Sequence, residues 1–256
     1  MILSASFAHY RFGKALLPLL PPQAAQDVKR FRRLYDMGLH GPDIFFYHNP
    51  IMTTQAGSLG KKFHRMSGAD FFRHGCAIAR TEAHRAYLYG LLAHYCLDSQ
   101  IHPYVHECVA AGKVRHVEME VEFDRFLMEA DGILSPHTYD QTGHMKLTRG
   151  ECATVAEFYG TSASAVRRSV GNFSIASKLL TLKWRNAMKK VLSVTPEAVA
   201  DQQMYECPNP RCVTLNPGQQ ERYDRALKRY PMLLEQLLQH METGIPLGED
   251  FLPDFG

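Results

Sequence analysis

Residues 80–101, RTEAHRAYLYGLLAHYCLDSQI, carry their apolar positions at helical rather than alternating spacing. His84, Tyr87, Leu91, His94 and Asp98 recur three or four apart, so one stripe of a predicted helix holds both core and polar groups. Pro103 disfavours continuation and marks the expected end of this helix. A second helix is predicted over 114–130 (VRHVEMEVEFDRFLMEA), with others over 151–160, 163–194 and 217–242, the last interrupted at Pro231. The Pro- and Gly-bearing stretch 205–219 reads as a loop. Strand-like alternation, a βαβ rhythm and internal repeats are missing from the pattern. The expectation is an all-α, single-domain multi-helix bundle over 1–256, its chemistry in 9–124 and additional helices over 145–256.

Composition narrows the class. The 256 residues are 45% hydrophobic and 21% charged, with a net charge of +3, enough to fill a core and too balanced for a disordered chain. No window reaches 18 consecutive apolar residues, so no transmembrane segment is expected. MILSASFAHYRFGKALLPLL is broken by His9, Tyr10, Arg11 and Lys14 and does not read as a secretory signal, which points to a cytoplasmic location. Six cysteines are too sparse for a disulfide scaffold, and CPNPRC, the close pair Cys207 and Cys212, has no second pair to complete a zinc ribbon.

Histidine changes the picture. Of thirteen, twelve lie at or before His144 and only His240 follows. In HYCLDSQIHPYVH, His94, Asp98 and His102 are spaced by four, and each such step turns a helix by only about 40°. RHVEMEVEFD repeats the geometry with His116 and Glu120. Imidazole and carboxylate one turn apart are suitable ligands for zinc or a similar ion. Asp43 in GLHGPDIFF, His64 in KKFHRMSG and His9 in AHYRFG are further candidates. His40, His48, His74, His84, His137, His144 and His240 stand singly and read as ordinary core or surface histidines. Burying so many polar groups without a partner is costly, which favours a bound cation.

These segments, GPDIFF, AHYCLDSQIHP and HVEMEVEFD in that order, resemble the zinc-dependent phospholipase C family, whose fold is shared with S1/P1-type nucleases. The resemblance runs from His9 to about Asp124. It implies two or three Zn2+ ions: one held by Asp43, His64, His94 and Asp98, a second sharing Asp98 with His9, and a third with His102, His116 and Glu120. His106 is an alternative to His102, because the step from Asp98 is shorter than in the secreted enzymes. Those enzymes also start their mature chain with a metal-binding tryptophan, where this sequence has Met1 eight residues before His9. The aromatic that follows the first aspartate in choline-selective members is Ile44 here, so choline selectivity is not expected.

The function implied is metal-dependent hydrolysis of phosphate esters, phospholipase C-like, with Asp43 as the catalytic candidate that orients or deprotonates water. Glu118, Glu122 and Asp124 are candidates to fix histidine tautomers. An S1/P1-like nuclease or phosphodiesterase, and a non-catalytic metal-binding protein with an incomplete site, are the rival readings. HExxH, GxxxxGK[ST] and GxSxG are absent, which removes zincin, P-loop and serine-hydrolase chemistry. From Thr161 to Pro196 there is no acid but seven bases: Arg167, Arg168, Lys178, Lys183, Arg185, Lys189 and Lys190. Over 163–194 this reads as a packed helix with a solvated cationic face, or as a surface for peripheral contact with phospholipid headgroups. Nucleic acid is a less favoured partner.

Overall fold

The computed structural model describes residues 6–49, 55–181 and 204–255. Ten α-helices and several short 3-10 turns, with no strand, make up the described residues. They are α1 (Ser6–Leu16), α2 (Pro22–Arg30), α3 (Arg32–Gly38), α4 (Gln55–His64), α5 (Gly68–Ile78), α6 (Glu82–Ala110), α7 (His116–Ala130), α8 (Arg149–Tyr159), α9 (Ala163–Thr181) and α10 (Asn216–Thr243). The all-α expectation holds.

The long α6 is the axis of the bundle. It packs most extensively on α3 and α10, and also meets α1, α2, α7 and α8. Its middle, from Ala86 to Ser99, is buried throughout, so neighbours surround it instead of leaving the solvated stripe of a surface helix. The close crossing with α3 depends on two glycines. A Cβ on Gly38 or Gly90 would run into the backbone of the facing helix, at Tyr87 O and Tyr35 O respectively. The approach draws α3, and the turn that follows it, against the middle of α6.

Two proline boundaries expected from the sequence are corrected. α6 continues through Pro103 to Ala110, and α10 runs unbroken through Pro231. A proline inside a helix costs about 3 kcal/mol, through the lost N–H donor and the ring clash one turn back. Both rings face solvent here, while the flanking turns bury Ile101, Val105 and Cys108 in one case and Tyr230, Leu233, Leu234 and Leu237 in the other. At roughly 1.5–3 kcal/mol per buried large apolar side chain, packing outweighs the proline. The loop read over 205–219 is shorter than expected, since a 3-10 turn at Val213–Leu215 leads into α10 at Asn216.

The start of the basic segment is confirmed as helix: α9 buries Val166, Val170 and Phe173 and exposes Arg167, Arg168 and Lys178. The rest of that segment, including Lys183, Trp184, Arg185, Lys189 and Lys190, lies outside the described residues. No helix among the described residues is long and apolar enough to cross a membrane.

Candidate metal centre

Five elements converge on one buried cluster. α1 brings His9, the 3-10 turn Gly41–Tyr47 brings Asp43, and the last residue of α4 is His64. The buried middle of α6 brings His94, Asp98 and His102, and the first turns of α7 bring His116 and Glu120. Their donor atoms fall into three compact groups: His9, His94 and Asp98; Asp43, His64 and His94; and His102, His116 and Glu120. Within each group the atoms lie within 4.8 Å of one another. All eight residues singled out in the sequence are therefore brought together.

Asp98 occupies the middle. Its Oδ1 is 3.1 Å from His9 Nε2 and 3.6 Å from His102 Nε2, and its Oδ2 is 3.0 Å from His94 Nε2. On the outer sides, His64 Nε2 is 2.8 Å from Asp43 Oδ1, and His116 Nε2 is 3.1 Å from Glu120 Oε1. His102 Nε2 completes the second flank at 3.4 Å from Glu120. Between His102 and His106, the structure sets His102 in this contact. His106 is exposed, its ring 5.5 Å from that of His116.

Local structure aims each side chain. The N-terminal amides of α1, at Phe7 and Ala8, are bonded to the two oxygens of Asp124 at 3.0 and 2.8 Å. A buried carboxylate at that helix end satisfies orphan donors and favours the positive pole of the dipole, which fastens the turn before His9. Gly41 adopts φ +47°, and a Cβ there would come 2.5 Å from His94 Cδ2. Pro42 follows it at the start of the 3-10 turn, which carries Asp43 beside the ring of His94.

The second nitrogens decide what the cluster lacks. His64 Nδ1 lies 2.8 Å from Gly60 O, His94 Nδ1 3.2 Å from Leu39 O, and His102 Nδ1 2.9 Å from Phe255 O. A carbonyl only accepts, so each Nδ1 must be the donor, and in a neutral ring Nε2 then carries a lone pair. All three Nε2 atoms nevertheless face carboxylate oxygens. Acceptor opposite acceptor is untenable in a buried site unless a proton or a metal cation lies between them. Nδ1 of His9, Nε2 of His94 and Oε2 of Glu120 are buried with no hydrogen-bond partner.

Protonation answers part of this. Burial alone would depress His9, His64 and His102, but the facing carboxylates outweigh it and raise all three, His102 to about 9. Burial dominates at His94 and pushes it down to about 4, leaving its Nε2 bare at neutral pH. For Asp43, Asp98 and Glu120, burial favours the neutral acid, yet the neighbouring histidines prevail and keep each below the usual carboxylate range. Ionised carboxylates around a histidine that resists protonation form a donor set suited to divalent zinc.

The sequence profile of the zinc-dependent phospholipase C family matches residues 8–167, a span that includes every member of this cluster. The chain belongs to the zinc-dependent phospholipase C family. No curated protein and no solved structure matches it. Members of this family are zinc-dependent hydrolases, and the three donor groups supply the histidines and carboxylates such chemistry requires.

The expected tautomer-fixing carboxylates are corrected. Glu118 instead pairs with Arg115 and Arg211, Glu122 with Arg125 and the Asn209 amide, and Asp124 with α1. Backbone carbonyls orient His64, His94 and His102. Residues 251–255 form a strap missed in the sequence, because a main-chain carbonyl has no side-chain signature. Phe255 N donates to His64 O at 3.1 Å and Phe255 O accepts from His102, so one residue touches two members of the cluster. Among the histidines read as ordinary, buried His40 and partly buried His144 form an Nε2–Nε2 pair at 2.7 Å, beside the centre and not part of it.

Gly41→Ala is expected to disrupt this centre. Positive φ costs an L residue about 1–2 kcal/mol, and the added methyl must displace a ring whose Nδ1 is already committed to Leu39. The zinc-loaded protein should melt lower and carry less zinc per chain. An unchanged zinc content would show that the His94 ring has room to move.

Proposed function

We propose that this chain hydrolyses phosphodiesters of phospholipids, with two or three zinc ions held by His9, Asp43, His64, His94, Asp98, His102, His116 and Glu120. The observation that carries the reading is the set of Nε2 lone pairs turned toward carboxylates around Asp98, an arrangement that divalent cations resolve. Zinc held by these residues would supply a water of near-neutral pKa and offset charge on phosphoryl oxygens. Asp98 would help hold the ion of the His9 and His94 group, and its Oδ1 also faces His102 of the neighbouring group.

Asp43 is the catalytic candidate. Its carboxyl stays ionised because His64 and His94 oppose the effect of burial, so it can accept a proton from water or hold water in line with phosphorus. Substrate access runs past His64 and His116, the two partly exposed members of the cluster. Gly60 O and Phe255 O hold His64 and His102 by their far nitrogens, which keeps each Nε2 turned inward as substrate binds.

Elemental analysis of the purified protein, combined with turnover of phospholipids, a generic phosphodiester and single-stranded DNA, tests the reading. Two or more zinc ions per chain with phospholipid hydrolysis are expected. Asp43→Asn should lower kcat by roughly 10²–10⁴ with helical content unchanged. Preference for DNA would move the assignment to a nuclease. One ion without turnover of any substrate would reduce the centre to a structural role.

A further inference from the structure

The 3-10 turn that carries Asp43 ends at Tyr47, and His48, the next residue, forms one wall of a separate open pocket of about 580 Å³. The opposite wall is α9 from its start to Ile175: Ser164, Arg167, Arg168, Asn172 and Ile175. Asn172 Nδ2 donates to the carbonyls of Tyr47 and His48 at 3.0 and 3.1 Å, and His48 Nδ1 lies 3.2 Å from Ser169 Oγ. The two walls are thereby held at a fixed separation. Asp43 and His48 are five residues apart on a 3-10 path, which places this pocket about 10 Å along the turn from Asp43.

Two features separate the pocket from an ordinary solvated face. Exposed arginines elsewhere either hold a carboxylate, as Arg30, Arg33, Arg73 and Arg225 do, or stand singly without one, as Arg65, Arg80 and Arg149 do, whereas here two adjacent arginines line one pocket. Arg167 and Arg168 hold none among the described residues, and the chain has no acid from Thr161 to Pro196 to offer them. Secondly, Ser164, Arg168 and Ile175 follow at steps of four and seven along one side of α9, and Ile175 is 58% exposed. An unpaired cation beside an exposed aliphatic side chain matches a bilayer surface, where phosphate meets hydrocarbon.

We propose that this pocket is a second, non-catalytic site that takes the phosphate of an anionic phospholipid, docking the protein on a membrane with the zinc centre facing the bilayer. Arg167 and Arg168 contact phosphate oxygens, Ser164 donates its hydroxyl, and Ile175 enters the region beneath the headgroups. The site deepens the phospholipid-hydrolase reading. Its test is read as binding without turnover, so either idea can fail alone.

Co-sedimentation with vesicles of phosphatidylcholine alone, and with an equal mixture of phosphatidylcholine and phosphatidylglycerol, measures the docking. The wild-type protein should bind the mixed vesicles much better, and added salt should weaken binding. Arg167→Gln with Arg168→Gln should reduce binding to mixed vesicles roughly thirty-fold, from about 1 kcal/mol per arginine near an anionic surface. Ile175→Ser should give a smaller loss. Zinc content and turnover of a soluble phosphodiester should stay at wild-type level in both variants. Equal binding by wild type and the double variant, or by wild type to both vesicle types, would overturn the proposal. Binding of inorganic phosphate by the wild-type protein, lost in the double variant, together with equal sedimentation on both vesicle types, would overturn the membrane source and assign the pocket to soluble phosphate.

Discussion

Asp98→Asn is expected to strip more than one zinc ion from the protein and abolish hydrolysis. The carboxylate sits between His9 and His102 on one oxygen and faces His94 on the other, so removing its charge weakens neighbouring groups together. An amide is a poor zinc ligand and carries no charge to offset a divalent ion. Affinity in the affected groups should fall by well over about 100-fold, the upper range seen when only an outer partner of a ligand is lost. Binding of zinc to the folded state adds stability in proportion to the logarithm of ligand over Kd. The rise in Tm on adding zinc should therefore be much smaller in the variant than in the wild type. Loss of a single ion with activity retained would show that Asp98 serves one site only.

Removing the strap by truncation after Leu252 should be nearly as damaging, for a different reason. Phe255 is fully buried, its ring 5.0 Å from Tyr95, 5.2 Å from Phe71 and 5.9 Å from His94. Deleting a buried phenylalanine costs about 3–5 kcal/mol, and the truncation also leaves Gly68 N–H without Pro253 O and His102 Nδ1 without Phe255 O. At about 2–4 °C per kcal/mol for a chain of this size, Tm should fall by roughly 10 °C. Phe255→Ala separates the two contributions. It loses the ring but keeps the carbonyl, so it should lose stability yet hold zinc, whereas the truncated chain should lose the ion assigned to His102, His116 and Glu120. A full zinc complement after truncation would reduce the strap to packing.

Much of the centre was legible as spacing. His94, Asp98 and His102 lie four apart, as do His116 and Glu120, and a helix turns only slightly over each such step, so convergence follows from local geometry alone. Asp43, His64 and His9 carried no such local signal, and it was the family resemblance that assigned them. The choice of His102 over His106 needed the structure. Both fit the spacing argument, but only His102 points inward between Asp98 and Glu120, with a carbonyl waiting for its other nitrogen.

Helix ends were misjudged where proline was read by itself. Pro103 and Pro231 are local penalties, and the burial that outweighs them is contributed by residues distant in sequence. The partners of Glu118, Glu122 and Asp124 were likewise set by segments folding back from far away, including Arg211 and Asn209.

The amino-acid order by itself determined the all-helical class and the run of histidines and carboxylates along α6 and α7, because periodicity and ligand spacing are properties of neighbours within a few turns. Tertiary structure alone decided which nitrogen of His94 and of His102 is free, since that depends on carbonyls delivered by Leu39 and Phe255 from distant parts of the chain. It also decided that Asp98 stands at the centre, and that α9 closes a cationic pocket against the turn bearing Asp43.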